Sequence, residues 1–194
     1  MVKKDGIQVK SQFFEFQQNQ NPIFQSHSGW NNSLIIKFNL KKNDEINSSF
    51  FKKYFLSIVN KEKILVVTSG HVEISKENKK LSLTKFDALN FFFNNQDFLI
   101  QSSSDSIFYI ISSSSLTEKN LDAVYFNFKK DIIAKDIWGG QCISRPYVGN
   151  DLNLVLFDLK PGFKFDDKGH SNEQITWLID GSMNFYCSNL NKKL

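Results

Sequence analysis

The amino-acid sequence predicts an all-β protein in which a barrel-forming unit occurs twice, the second time incompletely. Three observations lead to this prediction: short apolar runs separated by turn residues, a pattern for only one short helix, and an internal repeat. The composition agrees, because 41% hydrophobic and 23% charged residues are typical of globular proteins. Twenty Phe against three Pro indicate a core rich in aromatic side chains.

Short runs rich in Ile, Val and Phe predict the strands. They are bounded by clusters of Asn, Asp, Gly and Ser, at spacings typical of a sandwich or a barrel. The runs in the first part of the chain are 34–40, 64–68, 72–75, 88–93 and 107–111. The runs in the last part are 152–159, 174–179 and 183–187. A short helix is predicted after Thr117, with Glu118 in its first turn.

The internal repeat consists of two blocks that keep their order. Residues 61–74 match residues 172–185, and residues 36–41 match residues 155–160. The identical pairs in the longer block are Glu62 with Glu173, Ile64 with Ile175, and Gly70 with Gly181. A glycine at both turn positions is expected, because a tight turn between strands often needs a positive φ. Two matching blocks in the same order indicate a tandem duplication.

The repeat divides the chain into four parts. Residues 1–33 form an N-terminal segment, 34–112 a first barrel, 113–136 a linker and 137–194 a second barrel. Fewer residues follow Gly181 than lie between Gly70 and the linker, so we expect the second barrel to be incomplete. Truncation is favoured over completion by residues before Leu34 or by another subunit, since an exposed half-barrel has open edges that promote aggregation.

The second copy also carries a recognisable motif. Pro161-Gly162 opens it, and the spacing from Gln174 to Gly181 closes it. Between them, the segment 170–177 is similar to the His-x-His-Pro-x-Glu-Gln segment of small bacterial cupins. The region from Trp138 to Cys187 therefore resembles the cupin superfamily. This resemblance implies a double-stranded β-helix, or jelly-roll, barrel.

The resemblance also implies a site in the second barrel. In cupins, two histidines and a Glu or Gln bind a divalent metal together with a third histidine from a second motif. Their positions here are Lys168, His170 and Gln174, which are the candidate ligand-binding residues. His170 and Gln174 could bind Fe, Mn, Ni or Zn, whereas an ammonium at Lys168 repels a cation. The absence of a metal is therefore favoured. Glu173 is a poor substitute ligand because it would lie on the other strand face.

The first copy keeps the shape of the motif without its ligands. The three corresponding positions hold Ser57, Val59 and Lys63. In residues 86–101, the counterpart of the second cupin motif, Asp97 takes the place of the last histidine. One acidic group does not make a transition-metal site, so we interpret the first barrel as structural.

These patterns predict a cupin-like protein that binds a small acid or sugar in the second barrel, where Lys168 would pair with a ligand carboxylate. Two other hypotheses remain open, because a fold does not fix a function. One is a metal-dependent isomerase, lyase or dioxygenase, in which His170 and Gln174 join histidines from missing C-terminal residues or a partner chain. The other is a structural or dimerisation module without an active site.

Several partners are disfavoured by the sequence. The net charge of +4 comes without a block of basic residues, so nucleic-acid binding is not expected. Neither a run of ~18–20 apolar residues nor a leader-like apolar region after residues 1–6 is present, which predicts a cytoplasmic protein without membrane contact. Cys142 and Cys187 form no metal-type pair and are expected to be buried hydrophobic residues. Homodimers are compatible with this pattern.

Overall fold

The computed structural model describes residues 23–28, 33–92, 97–116, 122–164 and 175–183. The strands in these ranges are β1 (Phe24–Ser28), β2 (Leu34–Leu40), β3 (Glu45–Asn47), β4 (Glu62–Ser69), β5 (His71–Lys76), β6 (Lys79–Thr84), β7 (Asp87–Phe92), β8 (Leu99–Ser102), β9 (Ser106–Ser112), β10 (Val124–Asn127), β11 (Lys135–Asp136), β12 (Cys142–Val148) and β13 (Asn153–Leu159). Helix α1 spans Ser48–Tyr54, and a 3-10 helix spans Leu56–Ile58. Within the described ranges, no helix is long and apolar enough to cross a membrane.

Strands β1 to β10, which we call the first unit, form two antiparallel sheets. The large sheet has the order β1-β2-β9-β4-β7-β10, and the small sheet has the order β3-β8-β5-β6. Strand β2 pairs with β9, β3 with β8, β4 with β7, and β5 with β6. One antiparallel ribbon therefore runs through both sheets, which is the strand order of a double-stranded β-helix, a form of jelly roll.

The main core lies between the two sheets. Alternate residues of β2 point into it, namely Ile36, Phe38 and Leu40, and the small sheet contributes side chains such as Val72 and Ile100. Aromatic rings fill much of this space: Phe38 stacks on Phe108 with ring centroids 4.9 Å apart. The interior of the first unit is thus occupied by its own side chains, as the excess of Phe in the sequence indicates.

The large sheet is also apolar on its outer face. Here Ile35, Ile64 and Val66 form a second cluster with Tyr109 and Phe126. This cluster is covered by the hairpin β12–β13 of the three-stranded sheet β11-β12-β13 and by residues 175–177. We call residues 137–164 and 175–183 the second unit, and its contact with this cluster the junction. The free thiol of Cys142 is buried in β12, as predicted, and burial raises the pKa of Cys142.

The strands predicted at 34–40, 64–68, 72–75, 107–111 and 152–159 are confirmed, as is 88–92 of the run predicted at 88–93. The strand predicted at 174–179 is wrong over its described part, because residues 175–179 pair with no strand. The helix predicted after Thr117 and most of the run at 183–187 lie outside the described residues.

Helix α1 was not anticipated. Asn47 precedes it and accepts a hydrogen bond from the Phe50 backbone N–H at 3.0 Å, which is a standard N-cap. Phe51 of the helix and Phe55 beyond it lie four residues apart and pack into the main core. The signal for this helix was therefore present in an Asn cap followed by aromatic residues at helical spacing.

Gly70 is predicted to be essential for the turn between β4 and β5. It has a φ of 81°, and a Cβ at this position would lie 2.3 Å from both the Asp105 carbonyl oxygen and Ser106 Oγ. Gly70→Ala should lower the free energy of unfolding by about 2–4 kcal/mol, measured by urea titration. Gly162→Ala is the control, because Gly162 has a φ of 80° but open space around it; its cost should be about 1–2 kcal/mol. Equal losses would show that the close contact at Gly70 is irrelevant.

Candidate functional site

The ligand residues predicted in the second unit lie outside the described residues. These are Lys168, His170 and Gln174, and the same holds for Glu173. In the ranges that the structure describes, no group of three or more His, Cys, Asp or Glu side chains could hold a metal ion. The corresponding positions of the first unit are described and can be assessed directly.

Those positions of the first unit do not fit a divalent metal. Ser57 is exposed on the 3-10 helix, and the Val59 side chain has no ligating atom. Lys63 is fully buried, and its Nζ donates hydrogen bonds to the backbone carbonyls of Val59, at 3.2 Å, and Lys61. The amine of Lys63 therefore holds the turn before β4 in place. Burial, and to a smaller extent the charge of Lys61, lower the pKa of Lys63 to about 7.

The counterpart of the second motif also has a structural role. Phe86 adopts a positive φ of 70°, and the Asp87 carboxylate accepts hydrogen bonds from Thr84, Tyr125 and Asn127. Burial alone would raise the pKa of Asp87, but these hydrogen bonds outweigh it and hold the pKa below its usual value. Asp87 thus links β10 to β7. Both of its carboxylate oxygens are occupied by these hydrogen bonds and are not free to bind a ligand.

Asp97, the residue predicted in place of the last histidine, is exposed. Its carboxylate accepts a hydrogen bond from Ser48 Oγ at 2.8 Å. The acidic side chain therefore stabilises the start of α1.

The most densely hydrogen-bonded carboxylate of the junction is that of Glu62. Glu62 is fully buried at the start of β4. Its Oε1 accepts from Asn90 Nδ2 at 2.7 Å and from the Asn150 backbone N–H at 3.0 Å. Its Oε2 accepts from the backbone N–H groups of Asp151, at 2.5 Å, and Leu152, at 2.9 Å. Three amides of the loop between β12 and β13 thus converge on one side chain of the first unit.

The loop is shaped to admit this carboxylate. A Cβ on Gly149 would lie 2.4 Å from Glu62 Oε1. The Gly149 backbone N–H donates to the Leu152 carbonyl at 2.8 Å, which closes the turn. Only glycine therefore allows the loop to approach Glu62 so closely. A cluster of backbone N–H groups of this kind is a general way to bind an anion.

Asn90 extends the polar contact to β12. Its Nδ2 also donates to Tyr147 Oη at 2.9 Å. The Tyr147 ring stacks on Phe126, with centroids 3.9 Å apart and an interplanar angle of 10°. Two buried polar atoms of the junction, Asn90 Oδ1 and Trp177 Nε1, have no hydrogen-bond partner among the described residues.

An ion-pair network fixes the other end of the hairpin. The Asp158 carboxylate of β13 is bound by Arg145 of β12 and by Lys129, which follows β10. Burial would raise the pKa of Asp158, but Lys129 and Arg145 outweigh it and lower the pKa. All three groups are partly exposed to solvent, so this network contributes less than the buried Glu62 contact.

Chemically, Glu62 is an anchor and not a catalytic base. Both of its oxygens are occupied by donors that belong to the protein, and the side chain is inaccessible. The sequence placed Glu62 only as the match of Glu173, without a role. The available signal was Gly149 next to Asn150-Asp151, a turn sequence, but its partner lies almost ninety residues earlier in the chain.

Comparison with known proteins finds similar folds but no similar sequences. No protein-family model and no curated protein sequence matches this chain. Solved structures do match. The chain is similar to the putative glyoxylate induced protein from Pseudomonas aeruginosa, with a TM-score of 0.53 and 13% identity over 74% of this chain and 59% of that one. It is also similar to AerE from Microcystis aeruginosa, with a TM-score of 0.51 and 12% identity over 70% and 60% of the two chains.

The similar structures also include a cupin 2 conserved barrel domain protein from Leptotrichia buccalis, with a TM-score of 0.44 and 19% identity over 69% of this chain and 56% of that one. At such identities the similarity concerns the fold alone, in agreement with the strand order of the first unit. The chain spans about three-fifths of the length of the Pseudomonas and Microcystis proteins.

Replacing Glu62 is predicted to loosen the junction. Glu62→Gln keeps the shape but turns an NH₂ group toward backbone N–H donors, so the free energy of unfolding should fall by about 2–4 kcal/mol. Hydrogen exchange at residues 150–152 should accelerate. Glu73→Gln is the matched control, because the one ion pair of Glu73 within the described ranges is a long contact of 4.0 Å to Lys80; its effect should stay below about 1 kcal/mol. Similar losses in both variants would contradict the anchoring role.

Lys63 is predicted to make stability depend on pH. The pKa of its amine is about 7 in the folded chain, against an ordinary value of 10.5 for an exposed lysine. Between these two pH values the amine is protonated in the unfolded chain and mostly neutral in the folded chain. The contribution of Lys63 to the free energy of unfolding therefore rises with pH from about 7 to 10.5 and is constant below pH 7. Lys63→Met should remove this slope. The measurement is urea unfolding at several pH values, with Lys76→Met at an exposed site as control; parallel curves for wild type and Lys63→Met would refute the prediction.

Proposed function

We propose that the chain is a tandem pair of cupin-like units, in which an incomplete second unit (137–194) carries a single small-molecule site. The junction supports the duplication. The repeat predicts which residues correspond in the two units, and corresponding residues meet in one apolar cluster. The pairs are Ile35 with Leu154, Ile64 with Ile175, and Val66 with Trp177. Two copies of one unit that pack through the same face would give this arrangement.

The backbone supports the same interpretation. The matching glycines Gly70 and Gly181 have φ values of 81° and 87°. Each unit also includes an antiparallel hairpin, β1–β2 in the first and β12–β13 in the second. In both hairpins, the second strand (β2 or β13) contains the shorter block of the sequence repeat, residues 36–41 or 155–160.

We propose that the first unit has a structural role and supports the second unit without binding a ligand itself. Its interior is filled by aromatic residues such as Phe38, Phe51 and Phe108, and the position that corresponds to Gln174 is held by the buried Lys63. A small molecule would have to displace this packing. This packing supports a ligand site in the second unit over one in the first.

The chemistry of Lys168, His170 and Gln174 favours a small acid or a sugar as ligand. An ammonium at Lys168 attracts a carboxylate, and a histidine and an amide supply directed hydrogen bonds. The same ammonium opposes a divalent cation. A binding protein for a small carboxylate or an acidic sugar is thus favoured over a metal-dependent enzyme.

The experiment is a thermal-shift screen followed by calorimetry, with acetate, malonate, citrate, glucose and glucuronate as probes. A carboxylate that binds should raise Tm, and Lys168→Met should weaken its affinity at least about tenfold, because a charge-assisted hydrogen bond is lost. Lys164→Met is the matched control: it removes the same charge from an exposed position nearby and should leave affinity unchanged. Binding that is equal in both variants would exclude the site.

Elemental analysis in the same series tests the alternatives. Stoichiometric Fe, Mn, Ni or Zn that is lost in His170→Ala would replace the binding proposal with the metal-dependent one. Metal that appears only in Lys168→His would support a cupin site in which Lys168 prevents metal binding. No binding of any probe, with no metal in either variant, would leave a structural module.

A further inference from the structure

We infer that Asp180-Gly181 is a site of spontaneous backbone modification, at which the aspartate rearranges to isoaspartate. The site lies in the described part of the second unit and does not depend on the proposed ligand. The sequence contains two Asp-Gly steps, Asp5-Gly6 and Asp180-Gly181, and no Asn-Gly step. Of the two, Asp180-Gly181 is the one that the structure describes.

The reacting groups of this step are already in contact. The Gly181 backbone N–H donates a hydrogen bond to Oδ1 of Asp180, the residue directly before it, at 2.8 Å. The side-chain carboxyl of Asp180 is therefore turned toward the next backbone nitrogen, which is the atom that attacks it in this rearrangement. Groups that are held together in this way react faster than groups that must first meet.

The surroundings of Gly181 leave its amide free to react. Gly181 has a φ of 87°, and a Cβ at this position would have no heavy atom within 4 Å apart from its chain neighbours. Residues 175–183 pair with no strand of the described chain, so the amide does not have to leave a sheet. Asp180 and Gly181 are both exposed, which lets water reach the bond.

The rearrangement has two steps. First, the Gly181 nitrogen bonds to Cγ of the neutral Asp180 carboxyl, and the carboxyl hydroxyl leaves with the amide proton as water. The product is a five-membered succinimide ring, which is lighter by one water. Second, solvent water adds to one of the two ring carbonyls. Opening at the backbone carbonyl leaves the chain linked through Cγ as isoaspartate, whereas opening at Cγ restores aspartate; both products have the mass of the original chain.

Asp136 provides a comparison within the same chain. It is exposed like Asp180, but its Oδ1 accepts a hydrogen bond from the Trp138 backbone N–H, two residues further on, at 3.1 Å. The Asp136 carboxyl is thus engaged by an amide that cannot close a five-membered ring with it. The next residue, Ile137, is β-branched and restricts access to its own nitrogen. Asp136 should therefore react much more slowly.

The modified bond lies beyond the part of the second unit that reaches the junction. Trp177, three residues before Asp180, packs on Tyr109 with ring centroids 5.4 Å apart. Isoaspartate lengthens the main chain by one methylene after this contact, so we expect the junction to persist and modified chains to accumulate in the folded state. The class of partner that fits such chains is an enzyme that recognises the isoaspartyl carboxylate, for example by methylating it with S-adenosylmethionine.

The test is incubation of the full chain at neutral pH for several weeks, followed by peptide mapping with electron-transfer fragmentation, which distinguishes isoaspartate from aspartate. Isoaspartate should form at Asp180 at least about tenfold faster than at Asp136. Circular dichroism of the same samples should show a folded chain. Methyl transfer from S-adenosylmethionine by an isoaspartyl methyltransferase should increase in parallel.

Substitutions at the step test the mechanism. Gly181→Ala should slow the reaction at least about fivefold, because a Cβ restricts the backbone at this positive φ and crowds the nitrogen. Asp180→Glu keeps the charge and the glycine but would need a six-membered ring, so its isomer should not accumulate. Asp136→Glu, the same change at the comparison position, should leave the rate at Asp180 unchanged. Equal rates at Asp180 and Asp136, or an unchanged rate in Gly181→Ala, would overturn the inference.

Discussion

The architecture depends on one constraint: the large sheet is apolar on both faces. Strand β4 is buried along almost its entire length, so each of its faces must be covered by other parts of the chain. The small sheet covers one face and builds the double-stranded β-helix, while the hairpin β12–β13 and residues 175–177 cover the other. The second unit is consequently part of the same folded structure as the first, and removal of either cover would expose a core surface to water.

Apolar contact alone would not fix how the second unit sits on the sheet, because hydrophobic attraction has no direction. The hydrogen bonds of the Glu62 carboxylate are directional and fix the position of the loop between β12 and β13. It binds three consecutive amides of one loop, and Gly149 provides the space that this approach needs. Burial of the charge is costly, but four hydrogen bonds offset the cost, and only one placement of the loop provides them. Glu62 therefore selects the register of the junction.

The sequence predicted the strands whose apolar pattern is strong, such as β2. It did not predict β12, because Pro146 and Arg145 interrupt the pattern; Pro146 is tolerated since β11 pairs only with the far end of that strand. The strand predicted at 174–179 has the right alternation, yet residues 175–177 pack on the junction without a ladder. The role of Glu62 was beyond prediction, because a buried charge depends on donors that are distant in the chain.

The matching sequence blocks 36–41 and 155–160 show which structural features local sequence does not determine. Phe38 and Phe157 occupy the same place in nearly the same pattern, and both lie in strands, because strand formation follows from alternation. Their burial differs because it depends on a second sheet that only the first unit has among the described residues. The first unit uses its ligand positions for packing, with Lys63 holding a turn.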